Sequence, residues 1–125
     1  MFRLTLNAYS ELVVFDRLLE RQAFADLYER VRNCPIAPRT LESYSEQTVC
    51  SAVDLACIWY WKRVYCLQRS AATACLLKRC GIPARMILGA QHVPFRAHAW
   101  VEVGDRVVND KPYTREIYFV LDVCS

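Results

Sequence analysis

The sequence contains no long apolar run and no strong excess of charge of either sign. Its apolar stretches stay well short of the roughly 18 consecutive residues that a membrane-spanning helix requires, and no apolar segment precedes the first charges. The net charge of +3 is scattered along the chain, and no run of Lys and Arg alternates with aromatic residues. These absences exclude a signal peptide, a membrane span and a nucleic-acid-binding stripe, so we expect a cytoplasmic protein.

Histidine is scarce, with two residues in the chain, and none of the seven cysteines forms a C-x-x-C pair. Zinc sites usually show paired Cys or His ligands at short spacing, so we expect no metal site, and nothing in the sequence points to a cofactor. An odd number of cysteines without a secretion signal favours reduced thiols over a disulfide framework. Most of these cysteines are expected to be small, buried apolar residues.

The length and composition predict a single folded domain over residues 1–125. The chain is 54% hydrophobic and 23% charged, which is typical of a globular protein with one core. Residues 1–64 show helical patterns, whereas residues 65–125 combine one helix with several strand patterns. This order of elements predicts the α+β class.

The first 64 residues carry two apolar patterns with helical spacing. The first predicts either one long helix or two helices broken near Gln22, and Pro35 and Pro38 end it. The second pattern is predicted to begin at a capping box, Ser43-x-x-Glu46. Their apolar positions are Leu12, Phe15, Leu19, Ala23, Leu27 and Val31, then Val49, Val53, Ala56 and Tyr60.

The stretch 66–80 predicts a central helix. Between Leu67 and Leu77 it is small or apolar on nearly every side, which is the pattern of a buried helix. Gly81 then ends the helix. An antiparallel meander is predicted to follow and to wrap this helix, with strands at 84–90, 95–103, 106–110 and 117–123.

The hairpin formed by the second and third strands has two possible registers. A two-residue turn places His98 opposite Lys111, whereas a three-residue loop that takes in Val103 places His98 opposite Asp110. The second register also aligns an opposite-charge pair and a β-branched pair, so we predict the three-residue loop and a His98–Asp110 pair. In that register Asn109 faces the opposite side of the sheet, and its replacement by Asp or Ser should affect turnover far less than a change at Asp110.

Cys66 is the cysteine best placed to use such a pair. It starts the helix at 66–80, where unpaired N–H groups and the helix dipole favour a thiolate. None of the other six cysteines combines a helix start with nearby polar residues. A lone histidine in a strand is more often structural, but Cys66, His98 and Asp110 together predict nucleophilic catalysis.

Three segments carry a resemblance to a known enzyme family. They lie within residues 65–121 and read CLQRSAATACLLKRCGIPARMILGA, FRAHAWVEV and RVVND. This combination resembles the transglutaminase-like, papain-like cysteine peptidases that remove leader peptides in lasso-peptide biosynthesis. One difference lies at the hairpin tip, which is Gly104-Asp105 here, where the family often has Asp-Gly.

The resemblance implies a fold, a bacterial cytoplasmic location and roles for named residues. The implied fold packs N-terminal helices and a central buried helix on an antiparallel sheet. Cys66 is the implied nucleophile, His98 the general base and later acid, and Asp110 the residue that orients His98. No cofactor is implied. Arg69 and Trp100 are candidate substrate-binding residues. The alternative for Arg69, which we favour, is that it holds a nearby carboxylate, and the alternative for Trp100 is that it shields His98 or packs beside it.

The resemblance also implies partners. Fused members carry a leader-recognition domain ahead of the peptidase, and residues 1–64 lack the strand patterns that such a domain needs. We therefore expect the split form, in which a separate recognition protein presents the leader of the precursor peptide and the lasso cyclase acts on the released core. The run IWYWKRVY, residues 58–65, is a candidate docking surface or cleft wall, although we expect at least half of its aromatic residues to pack in the core.

Two other functions use the same residues or the same fold. A transglutaminase-type acyl transferase employs a Cys-His-Asp triad with an amine in place of water. A non-catalytic peptide-binding module is the second alternative, but such a module has no reason to keep all three residues. The triad alone does not separate hydrolysis from transfer.

Overall fold

The computed structural model describes residues 2–125 and has the α+β architecture that the sequence predicts. In chain order the elements are α1 (Phe2–Glu20), α2 (Phe24–Asn33), α3 (Glu46–Trp59), α4 (Cys66–Arg79), β1 (Ala84–Gln91), β2 (Arg96–Val103), β3 (Arg106–Val107), α5 (Thr114–Ile117) and β4 (Phe119–Cys124). Over residues 2–125, no helix is both long and apolar enough to cross a membrane.

The apolar stripe at the start of the chain belongs to two helices rather than one. α1 ends at Glu20, Gln22 adopts a left-handed conformation with a φ of 55°, and α2 begins at Phe24. The break lets α2 fold back, so that both helices pack against α4. Their buried apolar residues are Leu4, Ala8, Leu12 and Phe15 in α1 and Leu27 and Val31 in α2.

α3 begins two residues later than the predicted capping box would place it. Its N-cap is Ser45, whose Oγ accepts a hydrogen bond from the Thr48 N–H at 3.2 Å. Ser43 is unavailable because its Oγ accepts the Thr40 N–H at 2.9 Å in the preceding turn. The predicted Ser43–Glu46 box is therefore wrong, and the Glu46 carboxylate instead binds Arg106 at 2.8 Å.

α4 is the central buried helix, as predicted from its sequence. Every residue from Ser70 to Lys78 is buried. The three preceding helices contact α4, as do strands β1 and β2. Even the Lys78 ammonium group is enclosed, and it donates to the Val31 carbonyl at 2.9 Å. The chain leaves the helix through Gly81, whose φ of 82° is a conformation that favours glycine.

The four strands form one antiparallel sheet in the order β3-β2-β1-β4. The first three strands are a meander, but β4 pairs with β1, so the predicted meander is wrong for the last strand. The reason is that β3 covers only Arg106–Val107 and not the predicted 106–110. Residues 108–118, which include α5, then carry the chain from one edge of the sheet to the other.

The hairpin between β2 and β3 turns through two residues, so the predicted three-residue loop is wrong. Val103 pairs with Arg106 directly across the turn. Gly104 has a φ of 60°, whereas Asp105 does not have a positive φ. Glycine at the first central position is the requirement of a type II′ turn, and such turns match the twist of the flanking strands.

Candidate active site

Cys66 is the first residue of α4 and is half-buried. The preceding residue, Tyr65, is the N-cap but makes no side-chain capping hydrogen bond. The first backbone N–H groups of α4 are therefore not satisfied by a capping side chain, and the positive end of the helix dipole acts at the sulfur. This environment favours a thiolate at Cys66.

His98 lies on β2 and bridges Cys66 and Asp110. Its Nε2 is 2.5 Å from Asp110 Oδ2, and the side chains of His98 and Asp110 are 24% and 25% exposed. The Cys66 thiol is also close enough to the imidazole to raise the pKa of His98. Since Nε2 serves the carboxylate, Nδ1 is the nitrogen left to face the sulfur.

Electrostatics at these three groups favour a thiolate–imidazolium pair. The hydrogen bond from His98 lowers the pKa of Cys66 against the effect of burial, and the Ala99 and Leu67 N–H groups lower it further. The hydrogen bond to Cys66 raises the pKa of His98, with a further contribution from Asp110. Burial would raise the pKa of Asp110, but its hydrogen bonds to His98 and to the Lys111 N–H hold that pKa below its ordinary value.

Five other cysteines have environments that suppress ionisation. Burial raises the pKa of Cys50 to about 11. Burial is also the largest cause of the raised pKa at each of four further thiols, which are Cys57, Cys75, Cys80 and Cys124. All seven cysteines are free.

Asp110 reaches His98 because the chain leaves the hairpin ladder after Val108. The Val108 N–H still donates to the Val101 carbonyl at 3.0 Å, as in a regular pair. The Val101 N–H, however, donates to Asn109 Oδ1 at 2.7 Å, in the place of a backbone carbonyl. The Asn109 amide thus completes the pair, and the backbone is free to turn and present Asp110 to the imidazole.

Asn109 therefore has surroundings at the site that differ from those predicted from the sequence. Its side chain is buried, with 8% of the residue exposed, and it bonds the backbone of β2, so the predicted placement of Asn109 in a regular strand, on the face opposite to His98, is wrong. Besides Val101, it contacts α4, because Nδ2 donates to Ser70 Oγ at 3.1 Å. The sequence signal for this role was the polar pair Asn109-Asp110 at the end of an otherwise apolar strand.

The two candidate substrate-binding residues have different surroundings. Arg69 forms an exposed ion pair with Asp54 of α3, at 2.7 Å, which leaves its guanidinium at the surface near the start of α4. Trp100 is fully buried and donates from Nε1 to Glu102 Oε2 at 2.9 Å. Trp100 therefore packs beside His98, with ring centroids 6.0 Å apart, and does not face solvent.

Tyr118 is a further residue at the site that the sequence did not reveal. Its ring stacks on the His98 imidazole with centroids 4.9 Å apart and an interplanar angle of 27°. Tyr118 directly follows α5, and α5 is attached to β2 through Arg115, whose Nε and Nη2 donate to the buried Glu102 carboxylate at 2.5 and 2.8 Å. The predicted strand at 117–123 gave no sign of this helical turn.

The aromatic run before Cys66 is mostly exposed. Exposure is 77% at Ile58, 73% at Trp59, 72% at Trp61 and 60% at Tyr65. Of its aromatic residues only Tyr60 is buried, so the expectation that at least half would pack in the core is wrong. We call these four exposed residues the 58–65 surface. The 58–65 surface ends at Tyr65, which is the N-cap of α4 and directly precedes Cys66.

The described part of the chain, residues 2–125, contains no cluster of three or more potential metal ligands. The chemistry that Cys66, His98 and Asp110 can perform together is nucleophilic attack by a thiolate, with proton transfer through the imidazole.

Comparison with known proteins connects this arrangement to a family. Residues 10–122 match the transglutaminase-like superfamily. A segment of 51 residues, 41% of the chain, is 41% identical to the microcin J25-processing protein McjB of Escherichia coli. The matched segment spans 24% of that relative, so the similarity covers about a quarter of the relative's length. No solved structure matches the chain.

Proposed function

The chain belongs to the transglutaminase-like superfamily, and we propose that it is a cysteine peptidase that removes the leader peptide from a lasso-peptide precursor. The observation that carries this proposal is the Cys66–His98–Asp110 constellation, in which the imidazole is hydrogen-bonded to the carboxylate and interacts with the thiol of Cys66. The similarity to a protein named for processing microcin J25 supports the substrate class.

In the first half-reaction, the Cys66 thiolate attacks the carbonyl carbon of the last leader residue. The sulfur–carbon bond forms, and the carbonyl oxygen becomes an oxyanion. The Cys66 backbone N–H at the start of α4 is placed to donate to that oxyanion. His98 then gives its Nδ1 proton to the leaving amine of the core peptide, the carbon–nitrogen bond breaks, and a thioester remains on Cys66.

In the second half-reaction, water hydrolyses the thioester. Neutral His98 accepts a proton from the attacking water, and the leader leaves with a new carboxylate while the thiolate is restored. Asp110 holds Nε2–H throughout, so that Nδ1 is the nitrogen that exchanges protons with sulfur, amine and water. Gln68 does not serve as an oxyanion donor, because its Nε2 is buried and donates to the Leu12 carbonyl at 2.8 Å.

The proposed partner is a separate leader-recognition protein. Binding the leader to such a protein raises the effective concentration of the scissile bond at Cys66 once the complex docks. The 58–65 surface is our candidate for that docking contact, since exposed Trp and Tyr residues are enriched at interaction surfaces. Lys62 anchors the segment by binding Asp16 and Glu20 of α1, each at 2.7 Å.

Mass spectrometry of the reaction products tests the proposal. The chain is incubated in H₂¹⁸O with its precursor peptide and the recognition protein, and the expected products are the free core and a leader that gained ¹⁸O at its new C-terminus. Cys66→Ala should give no product, whereas the matched control Cys57→Ala, which removes a half-buried thiol of α3, should cleave normally.

Two results would contradict leader hydrolysis. Transfer of the leader to an added primary amine, with no ¹⁸O incorporated, would identify an acyl transferase. Binding of the leader with the precursor left intact would identify a peptide-binding module.

A further inference from the structure

We propose that Asn109 and Ser70 are positioning residues that hold the three catalytic elements in register through a buried chain of hydrogen bonds. The inference rests on the assignment of Cys66, His98 and Asp110 as the triad. Neither residue touches the reacting groups, so each acts through the backbone that carries them.

The chain of hydrogen bonds begins at Ser70 on α4. Ser70 Oγ donates to the Ala99 carbonyl of β2 at 3.1 Å and accepts from Asn109 Nδ2 at 3.1 Å. Asn109 Oδ1 then accepts the Val101 N–H of β2 at 2.7 Å. Ser70 is 1% exposed and Asn109 is 8% exposed, so these bonds are formed out of contact with bulk water.

Three residues of this chain of hydrogen bonds lie close in the sequence to members of the triad. Ser70 is one helical turn after Cys66, Ala99 directly follows His98, and Asn109 directly precedes Asp110. The three bonds therefore tie α4 to β2, and β2 to the segment that carries the carboxylate. Buried hydrogen bonds at these positions hold the two strand segments and α4 in fixed positions, and so fix both the sulfur–imidazole and the imidazole–carboxylate distance.

The edge of β2 that faces away from β1 explains why side chains, rather than a neighbouring strand, make these hydrogen bonds. Because β3 stops at Val107, no strand covers the backbone groups of Ala99 and Val101. The Ala99 N–H turns to the Cys66 sulfur and its carbonyl turns to Ser70. One peptide segment thus contacts both the nucleophile and the positioning serine, so a shift of Ala99 alters the donor at the sulfur.

Asparagine suits position 109 because its amide both accepts and donates. A hydrophobic or acidic residue there would lose at least one of the two bonds, and a buried group left without its partner is costly. Loss of the bond to Val101 would also remove the group that ends the ladder. The segment could then continue pairing, which would bring Lys111 toward His98 and take Asp110 away.

The test uses the alkylation of Cys66 by iodoacetamide as a function of pH, which requires no peptide substrate. The variants are Asn109→Ala and Ser70→Ala. The control is Thr73→Val, which removes another buried hydroxyl of α4, one that bonds only the Arg69 carbonyl of the same helix. Thermal unfolding followed by circular dichroism is measured for each protein in parallel.

We expect both variants to alkylate Cys66 about tenfold more slowly near pH 6, since a rise of one unit in the thiol pKa lowers the thiolate fraction tenfold. The control should reproduce the wild-type pH profile. Because Asn109 and Ser70 bond each other, the double variant should lose less than the sum of the two single losses.

A purely structural role would lower the unfolding temperature of both variants while their alkylation profiles superimpose on that of the wild type, and this result would overturn the proposal. If Asn109→Ala does not fold, Ser70→Ala decides the question in the same way. A wild-type Cys66 without enhanced reactivity near pH 6 would instead overturn the triad assignment itself, so the two failures are distinguishable.

Discussion

His98 Nε2 lies 2.5 Å from Asp110 Oδ2, although the register of the hairpin would place Lys111 opposite His98. The contact exists because the chain leaves the ladder after Val108 and Asn109 replaces the missing backbone acceptor. His98 and Asp110 are therefore paired as predicted, but they are not cross-strand neighbours in a hairpin with a three-residue loop. A regular strand of five residues would have separated these two side chains onto opposite faces of the sheet.

Cys66 should be the first cysteine to react with iodoacetamide near neutral pH. Its pKa is lowered by the hydrogen bond from His98, while burial raises the pKa of Cys50 to about 11 and also raises that of Cys75. Peptide mapping after brief labelling identifies the modified residue. Labelling of Cys50 or Cys75 ahead of Cys66 would contradict the assignment of the nucleophile.

Asp110→Asn should lower kcat/KM strongly while the protein stays folded. The amide no longer stabilises the imidazolium and favours the wrong tautomer, and neutralising a triad carboxylate costs on the order of a thousandfold or more. The matched control is Asp105→Asn, which changes an exposed carboxylate at the hairpin tip. Comparable losses in the two variants would show that Asp110 has no special role.

The pH profile of kcat/KM should be bell-shaped. Activity should appear as pH rises through the pKa of the Cys66–His98 pair that forms the thiolate, which lies below the ordinary thiol value. Activity should be lost as pH rises through the pKa at which the imidazolium deprotonates, which lies above the ordinary histidine value. Because Asp110 contributes to that raised pKa, Asp110→Asn should move the alkaline limb to lower pH.

Arg115→Ala should destabilise the protein by about 2 kcal/mol, because the Glu102 carboxylate would be left buried without its main partner. Glu102 is 1% exposed, and only Trp100 Nε1 and a longer contact from Arg85 would remain to it. Urea unfolding gives the change in free energy. Arg106→Ala, which removes an exposed ion pair with Glu46, is the control and should have little effect.

The same Arg115 variant should also weaken catalysis, because α5 places Tyr118 against the imidazole. Tyr118→Phe, which keeps the stacked ring, should retain kcat, while Tyr118→Ala should lower it. Equal kcat values for Tyr118→Ala and the wild type would contradict a contribution from ring stacking.

Trp59→Ala and Trp61→Ala should reduce the acceleration that the recognition protein gives to precursor cleavage. Iodoacetamide should still label Cys66 at the wild-type rate, since the two side chains are 73% and 72% exposed and belong to the proposed docking surface rather than to the proposed triad. Leu41→Ala removes an exposed apolar side chain from another segment and serves as the control. Unchanged acceleration in both tryptophan variants would place the docking contact elsewhere.

Local sequence patterns determined the helices that carry the site. The apolar run from Leu67 to Leu77 with Gly81 beyond it predicted a buried helix beginning at Cys66, and the structure confirms that helix. Such patterns succeed because helix ends and buried faces depend on residues a few positions apart. The cap at Ser45 was missed because Ser43 and Ser45 are both possible N-caps of α3. Only the folded turn shows that the Ser43 hydroxyl is already bonded to Thr40, which leaves Ser45 as the N-cap.

Tertiary structure alone decided how the candidate catalytic groups meet. Four features of the site depend on contacts between distant segments. They are the turn at Gly104, the pairing of β4 with β1, the stacking of Tyr118 on His98, and the departure of the chain from the hairpin at Asn109. The cross-strand pairs that favoured the other register are worth only about 0.2–1 kcal/mol each. A two-residue turn and a buried amide that bonds both α4 and β2 together outweigh such pairs, and no pattern along the chain reveals that balance.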